Sequence, residues 1–263
     1  MDLHNKKIVI TGATSGIGLE MIRQLQPFHP EIVAVGRAIE KIPALPGVYP
    51  FAADISAQEG VDAVFDFALE KLGNIDIFIA NAGFGYYEKI GAPDWEHARR
   101  IFSTNVLSPI YGLEKMLKIC GEKKFTYAIT ASGFGRTYMP GYSLYCSTKY
   151  ALHGFVSPMQ YELPPNAHLC TIYPVAMETD FFNRAGGEKM PRPFLSQKVT
   201  PAVRNILKDL QKEKRSSYPL RGLPLLIWLS SVFPFLLRMI NYREKRKFIK
   251  YHQYLSLSNF SHS

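Results

Sequence analysis

Tyr145 and Lys149 stand four residues apart in a stretch that reads as helix, Tyr145-Cys146-Ser147-Thr148-Lys149, and at that spacing a phenol and an ammonium share one face. A tyrosine hydroxyl has a pKa of about 10 and is a poor proton carrier near neutrality unless its anion is stabilised, which a neighbouring lysine does. Ser132 lies 13 residues before Tyr145, at the end of the apolar run Phe125 to Ala131, where a strand end can aim its hydroxyl at the same reacting oxygen. Asn105 falls inside an earlier predicted helix, an unfavourable place for asparagine that suggests a purpose, although a capped kink also explains it. The chemistry this set offers is proton transfer to or from an oxygen. Tyr-x-x-x-Lys is also what an ordinary amphipathic helix face contains, so the surrounding elements carry the decision.

Ile8 to Ile10 is a short β-branched run, followed by Thr11-Gly12-Ala13-Thr14-Ser15-Gly16-Ile17-Gly18 and then by the helical pattern Leu19, Ile22, Leu25. This is strand, glycine turn, helix. Such a turn lets the backbone approach a pyrophosphate closely while the helix start attracts its charge. The spacing differs from G-x-G-x-x-G, and a plain structural turn is the competing reading. Pro27 and Pro30 close the helix, and a second strand, Glu31 to Val35, ends at Gly36-Arg37 with no acidic residue. An acid there would bond the ribose 2′-hydroxyl of NAD, whereas Arg37 suits the 2′-phosphate of NADP; a solvated loop charge is the alternative.

A third strand, Val48 to Ala53, ends at Asp54-Ile55, where the carboxylate can accept from an adenine amino group. Residues 58 to 72 read as a helix, Ile75 to Ala80 as a fourth strand, and Asn81-Ala82-Gly83 breaks that strand with small residues against which a cofactor can lie. Pro93 opens a long predicted helix reaching about Ile119, with Asn105 at its middle and Pro109 as a kink. The fifth strand is Phe125 to Ala131, the helix bearing Tyr145 runs from about Leu144 to Leu163, and the sixth strand is Leu169 to Tyr173. Strand and helix alternate throughout, which predicts an α/β fold: a doubly wound parallel sheet, Rossmann-like, with its ligand site at the carboxyl ends of the strands.

A chain of 263 residues with 47% hydrophobic content is long enough to bury one large core. The expected division is a dinucleotide-binding and catalytic region over 1–200, including the substrate loop, and a C-terminal apolar and basic helical extension over 201–263. The three cysteines, Cys120, Cys146 and Cys170, are odd in number, lack Cys-x-x-Cys spacing and fall in predicted helix or strand, which argues for a reducing compartment and against a disulfide framework or a zinc site. MDLHNKK leads straight into the first strand with no signal peptide, so the expectation is a cytoplasmic protein.

Taken in order, these residues resemble the short-chain dehydrogenase/reductase family over about residues 6 to 180. TGATSGIG at 11–18 is similar to its cofactor turn and Asn81-Ala82-Gly83 to its Asn-Ala-Gly segment, while Asn105, Ser132, Tyr145 and Lys149 fall where the family places its catalytic residues. The resemblance implies hydride transfer between a nicotinamide and a carbonyl or alcohol carbon. Tyr145 would carry the oxygen's proton, Ser132 would orient the oxygen, Lys149 would lower the phenol's pKa and bond the nicotinamide ribose, and Asn105 would hold a water leading to solvent. Pro174 would stand beside the nicotinamide, and Thr179 would be available for the pyrophosphate or the carboxamide. Val175 stands where the family usually carries glycine, restricting that loop.

Residues 204–250 hold 12 Lys and Arg against 3 Asp and Glu, a local excess equal to the net +9 of the whole chain. No nucleic-acid motif accompanies this charge, which points to an anionic membrane surface. The uncharged run Leu223 to Leu237 is shorter than the ~20 residues needed to span a bilayer, contains Pro224 and Pro234 and is bordered by Arg221 and Arg238. Residues 215–250 therefore read as an interfacial segment on the cytoplasmic face of a membrane, helping to admit a lipid-like substrate; a pocket cap or a homodimer contact is the competing reading. Altogether the expectation is an NADP(H)-dependent oxidoreductase, NADP(H) preferred over NAD(H), acting on an apolar carbonyl or alcohol. A reductase of small soluble carbonyls and a catalytically idle dinucleotide sensor are the alternatives.

Overall fold

The computed structural model describes residues 1–179, 181, 185, 191 and 195–260, the last five by backbone alone. Alternation within each strand sorts the core into two layers. In β1 (Lys7–Thr11), Ile8 and Ile10 face one layer and Val9 the other; β2 (Glu31–Gly36) repeats this with Ile32 and Ala34 against Val33 and Val35. Strands buried on both faces must be apolar at consecutive positions, which is how the sequence reads.

β3 (Val48–Ala52), β4 (Ile77–Ala80), β5 (Phe125–Thr130) and β6 (Ala167–Ile172) continue the sheet. Two-residue strands β7 (Ala176–Met177) and β8 (Ser196–Gln197) pair apart from it, and β9 (Ser216–Ser217) closes its far edge. The order is β3-β2-β1-β4-β5-β6-β9, every pairing parallel. Pro50 is tolerated inside β3 because that strand is an edge. The chain winds outward from β1 to β3 and then returns beside β1 with β4, so the order reverses there and a crevice opens at the strands' carboxyl ends.

Helices α1 (Gly16–Leu25), α2 (Gln58–Leu72), α3 (Trp95–Phe102), α4 (Ser108–Cys120), α5 (Ser143–Glu162) and α6 (Val199–Gln211) flank the sheet. The Ile8 layer takes Met21 and Ile22 of α1 with Val203 and Ile206 of α6; the Val9 layer takes Phe65 of α2, Met116 of α4 and Leu152 of α5. α6 packs in the core and β9 pairs in the sheet, so the chain through Ser217 contributes to the main body.

The helix expected from Pro93 to Ile119 is two helices around a π turn, Ser103–Leu107, in which the Ser108 N–H bonds the Ser103 carbonyl. Pro109 supplies the reason: it has no N–H to give the Asn105 carbonyl four residues back, so the α pattern fails at Asn105 and resumes beyond it. Asp94 caps α3 by accepting the His97 N–H at 2.9 Å. The C-terminal apolar stretch breaks into α7 (Leu223–Val232) and α8 (Pro234–Phe260), bent by 106°. Pro224 sits in the first turn of α7, where a missing N–H costs nothing, so only Pro234 makes the bend. No single helix among the described residues is long and apolar enough to cross a membrane.

Candidate active site

One cavity of about 480 Å³ runs along the crevice. At one end lie Arg37, Asp54 and Ile55, in the middle Gly12, Thr14, Ser15, Gly16 and Ile17 with Asn81, Ala82 and Gly83, and at the other Ser132, Tyr145, Lys149, Pro174 and Thr179. Residues 11 to 179 of the chain thus converge on one trough because every strand ends there.

Gly12 must be glycine. Its φ is +67°, and a Cβ would stand 2.8 Å from the Ala82 Cα. Asn81 stitches the strands together: its Nδ2 donates to the Thr11 carbonyl at 3.1 Å, and its Oδ1 accepts from the Thr130 hydroxyl at 3.2 Å. Helix α1 carries no acidic side chain in its first turn, leaving its amide dipole for an anion, and the middle of the trough suits a pyrophosphate. Asp54 accepts the Ser56 N–H at 3.0 Å, and that bond, a second one from the Ser56 side chain and the nearby Arg37 and Arg100 charges hold its carboxyl below the usual range. The donors and acceptors along the trough therefore fit a dinucleotide.

At the far end Tyr145 is 9% exposed, Ser132 7% and Lys149 3%. The Ser132 Oγ accepts the Phe134 N–H at 3.1 Å, and its hydroxyl stands on the Tyr145 side of the cavity wall. Burial pushes the Tyr145 phenol well above its ordinary value, with the Ser132 hydroxyl opposing, while burial lowers Lys149 to about 7. Lys149 Nζ donates to the Thr130 carbonyl at 3.0 Å and lies 5.6 Å from the centre of the Tyr145 ring. The expectation that the lysine lowers the phenol's pKa thus meets a site in which burial sets the direction for both groups and Ser132, not Lys149, opposes it at the phenol.

Two expected site residues do not line the cavity. Gly18 is buried behind the turn, where a Cβ would stand 2.3 Å from the Gly12 carbonyl oxygen; it is small so that α1 can pack on the turn. Asn105, 1% exposed, is also off the wall. Its Oδ1 accepts the Phe84 N–H at 3.1 Å, and its Nδ2 donates to the Phe84 carbonyl at 2.8 Å and the Thr148 hydroxyl at 3.1 Å. The side chain is a clamp between the loop after Gly83 and helix α5, and a water would have to use its backbone carbonyl, which Pro109 leaves without the usual α-helical donor.

Sequence reasoning missed Arg100, Phe84, Tyr86, Phe134 and Phe181, all on the cavity wall. Arg100 follows Arg99 on an amphipathic helix, and nothing local marks which of the pair faces the trough. Val175, the residue in place of glycine, packs with Ala131, Tyr173, Leu223 and Ile227, so its branched side chain serves the seat of α7.

A model of the short chain dehydrogenase family matches residues 6–189, and the chain belongs to that family. An uncharacterised oxidoreductase of Staphylococcus saprophyticus is 26% identical over 202 residues, covering 72% of this chain and 81% of the relative. A 1,2-dihydroxy-1,2-dihydronaphthalene dehydrogenase of Pseudomonas putida is 28% identical over 218 residues, 78% of this chain and 82% of that one. Two solved structures share the fold: a short chain dehydrogenase/reductase of Burkholderia phymatum in complex with NAD (TM-score 0.78, 17% identity, 90% of this chain, 96% of that one) and a short-chain dehydrogenase of Sphingobium yanoikuyae in complex with NADPH (TM-score 0.75, 20%, 89% and 95%). The protein is an oxidoreductase that works with a nicotinamide dinucleotide on a small-molecule substrate.

Proposed function

We propose that the protein is an NADP(H)-dependent carbonyl reductase or alcohol dehydrogenase whose substrate is apolar, working in the cytoplasm. The observation that carries this reading is the single trough with a Ser132–Tyr145–Lys149 cluster at one end and Arg37 at the other. Arg37, with Arg100 nearby, favours a 2′-phosphate; Asp54 and Ile55 would hold the adenine, Thr14 to Ile17 the pyrophosphate, Tyr145 and Lys149 the nicotinamide ribose, and Pro174 and Thr179 the carboxamide side. When bound, NADPH supplies the hydride.

The chain's own residues handle the oxygen. Burial keeps the Tyr145 phenol protonated, so it holds the proton a carbonyl oxygen needs, and giving that proton up requires its anion to be stabilised by the neighbouring Ser132 hydroxyl and Lys149 ammonium. Ser132, held by the Phe134 N–H, orients that oxygen with its hydroxyl. Lys149, at about 7, exchanges protons near neutrality and can restore the one Tyr145 gives away. Phe84, Tyr86, Phe134 and Phe181 give the substrate end aromatic walls, which favour an apolar carbonyl over a small polar one.

The test is NADPH oxidation across long-chain 3-keto lipids, aromatic ketones and short polar ketones, with cofactor binding measured in parallel. Turnover is expected with the apolar members. Tight NADPH binding without turnover of any of them overturns the enzyme reading in favour of a dinucleotide sensor, and preference for the short polar ketones overturns the substrate class.

A further inference from the structure

The elbow between α7 and α8 exposes a run of large apolar side chains. Trp228 is 57% exposed, Phe235 55% and Met239 63%, with Leu225, Val232 and Phe233 between and beside them. A contiguous patch of this kind on one protein marks a surface built to meet something. The inner faces of the same helices are seated. Leu223 and Ile227 of α7 pack on Ala131, Tyr173 and Val175, next to Ser132; on α8, Phe248 and Tyr251 pack on Tyr87 and Tyr142, which join Tyr145 in one cluster. Both roots of the elbow therefore adjoin the substrate end of the cavity, and its apolar tip points away from the protein.

Along α8 the exposed side chains change character. Phe235, Met239 and Ile240 come first, with Arg238 among them, and from Arg243 onward Lys245, Arg246, Lys247 and Lys250 dominate the exposed positions alongside Ile249 and Tyr254. Phe233 to Arg243 is ten residue steps, about 15 Å of helix at ~1.5 Å per residue, or half of the ~30 Å hydrocarbon core of a bilayer. Arg221 does not join these cations, because its guanidinium is committed to Asp209 at 2.6 Å.

We propose that the α7–α8 elbow is an anchor in one leaflet of an anionic membrane: the tip from Leu225 to Leu237 enters the acyl region with Met239 and Ile240 at its edge, and Arg238, Arg243, Lys245, Arg246 and Lys250 meet the lipid phosphates. A second copy of the chain fits this surface poorly. A two-fold contact brings the patch against itself, and from 223 to 255 Glu244 is the lone acidic residue, already paired with Lys247 at 2.7 Å, so cations would face cations. The docking stands apart from the redox chemistry. Its consequence, that the cavity draws its substrate from lipid, rests on the proposed function.

The chain has two tryptophans, so full-length Trp95→Phe protein makes Trp228 the reporter. It is mixed with vesicles of phosphatidylcholine alone or of equal parts phosphatidylcholine and phosphatidylglycerol. Co-sedimentation with the mixed vesicles is expected, with a blue shift of Trp228 and its quenching by acyl-chain-brominated lipid. Binding should fall at least about tenfold with phosphatidylcholine alone, at high salt, or in Arg243→Glu/Arg246→Glu/Lys250→Glu. Phe235→Gln/Met239→Gln, both exposed, should keep the thermal midpoint and lose binding, whereas Tyr145→Phe should bind as the parent does, whatever its activity. Protein that stays in the supernatant, equal binding to both compositions, unquenched Trp228, or a lipid-free dimer that buries Trp228 overturns the proposal.

Discussion

Lys149 reaches past Tyr145 to the end of β5: its ammonium donates to the Thr130 carbonyl at 3.0 Å, although it lies only 5.6 Å from the centre of the Tyr145 ring. The backbone of the neighbouring strand therefore sets where the charge sits, and Ser132 is the side chain that opposes the rise of the phenol's pKa. Proton transfer and charge placement are divided between residues on the helix and the strand end it packs against.

Removing only the proton-carrying oxygen isolates Tyr145. Tyr145→Phe is expected to lower kcat by about 10²–10⁴-fold while NADPH binding, read by fluorescence, is retained. Activity above a tenth of wild type would place the proton on another group.

Buried Lys149 makes stability depend on pH with a definite sign. Its native value is about 7 against the ordinary 10.5, so between those values the unfolded chain binds more protons than the native one. The penalty is full below about 7 and fades as pH rises, so stability increases across the window. The unfolding free energy of wild type relative to Lys149→Met should climb from about pH 7 to about pH 10. Urea melts at several pH values check this, and a flat difference refutes it.

Arg37 lines the end of the cavity beside Asp54. Arg37→Ala should raise KM for NADPH by about tenfold, the worth of one charge-assisted contact, and leave KM for NADH little changed. Equal or better kcat/KM for NADH in the wild type counts decisively against the NADP assignment.

Asp209, 1% exposed, ties α6 to β9 and to the root of α7 through Ser217 at 2.8 Å, Lys214 at 2.9 Å and Arg221 at 2.6 Å. Burial alone would raise its pKa, but these three partners outweigh it and the net direction is down. Its contribution is then present above the ordinary carboxylate value and is lost as pH falls through the lower native one. Asp209→Asn should cost about 1–3 kcal/mol near neutrality by weakening the charge-assisted bonds to Ser217, Arg221 and Lys214, the two cations being half exposed and open to water, and less in acid. Denaturant melts at the two pH values provide the measurement.

The sequence by itself determined what depends on neighbours along the chain. Strands β1 to β6 were legible because residues buried on two faces must be continuously apolar, and the glycine turn, Ser132 and the Tyr145–Lys149 pair were legible because their work requires those types at those spacings. Tertiary structure decided what depends on distant elements meeting. β9 is two residues long and is a strand only because Thr171 and Ile172 of β6 pair with it and the Tyr173 N–H bonds the Ser217 carbonyl. Gly18 turned out to be a packing residue because the Gly12 carbonyl folds back over it, and Asn105 a clamp because Phe84 and Thr148 arrive from elsewhere in the chain. The same holds for Val175, whose branched side chain reads as an obstacle in the sequence and becomes the seat of a helix nearly fifty residues further on, since burial is a property of the surface two segments form together.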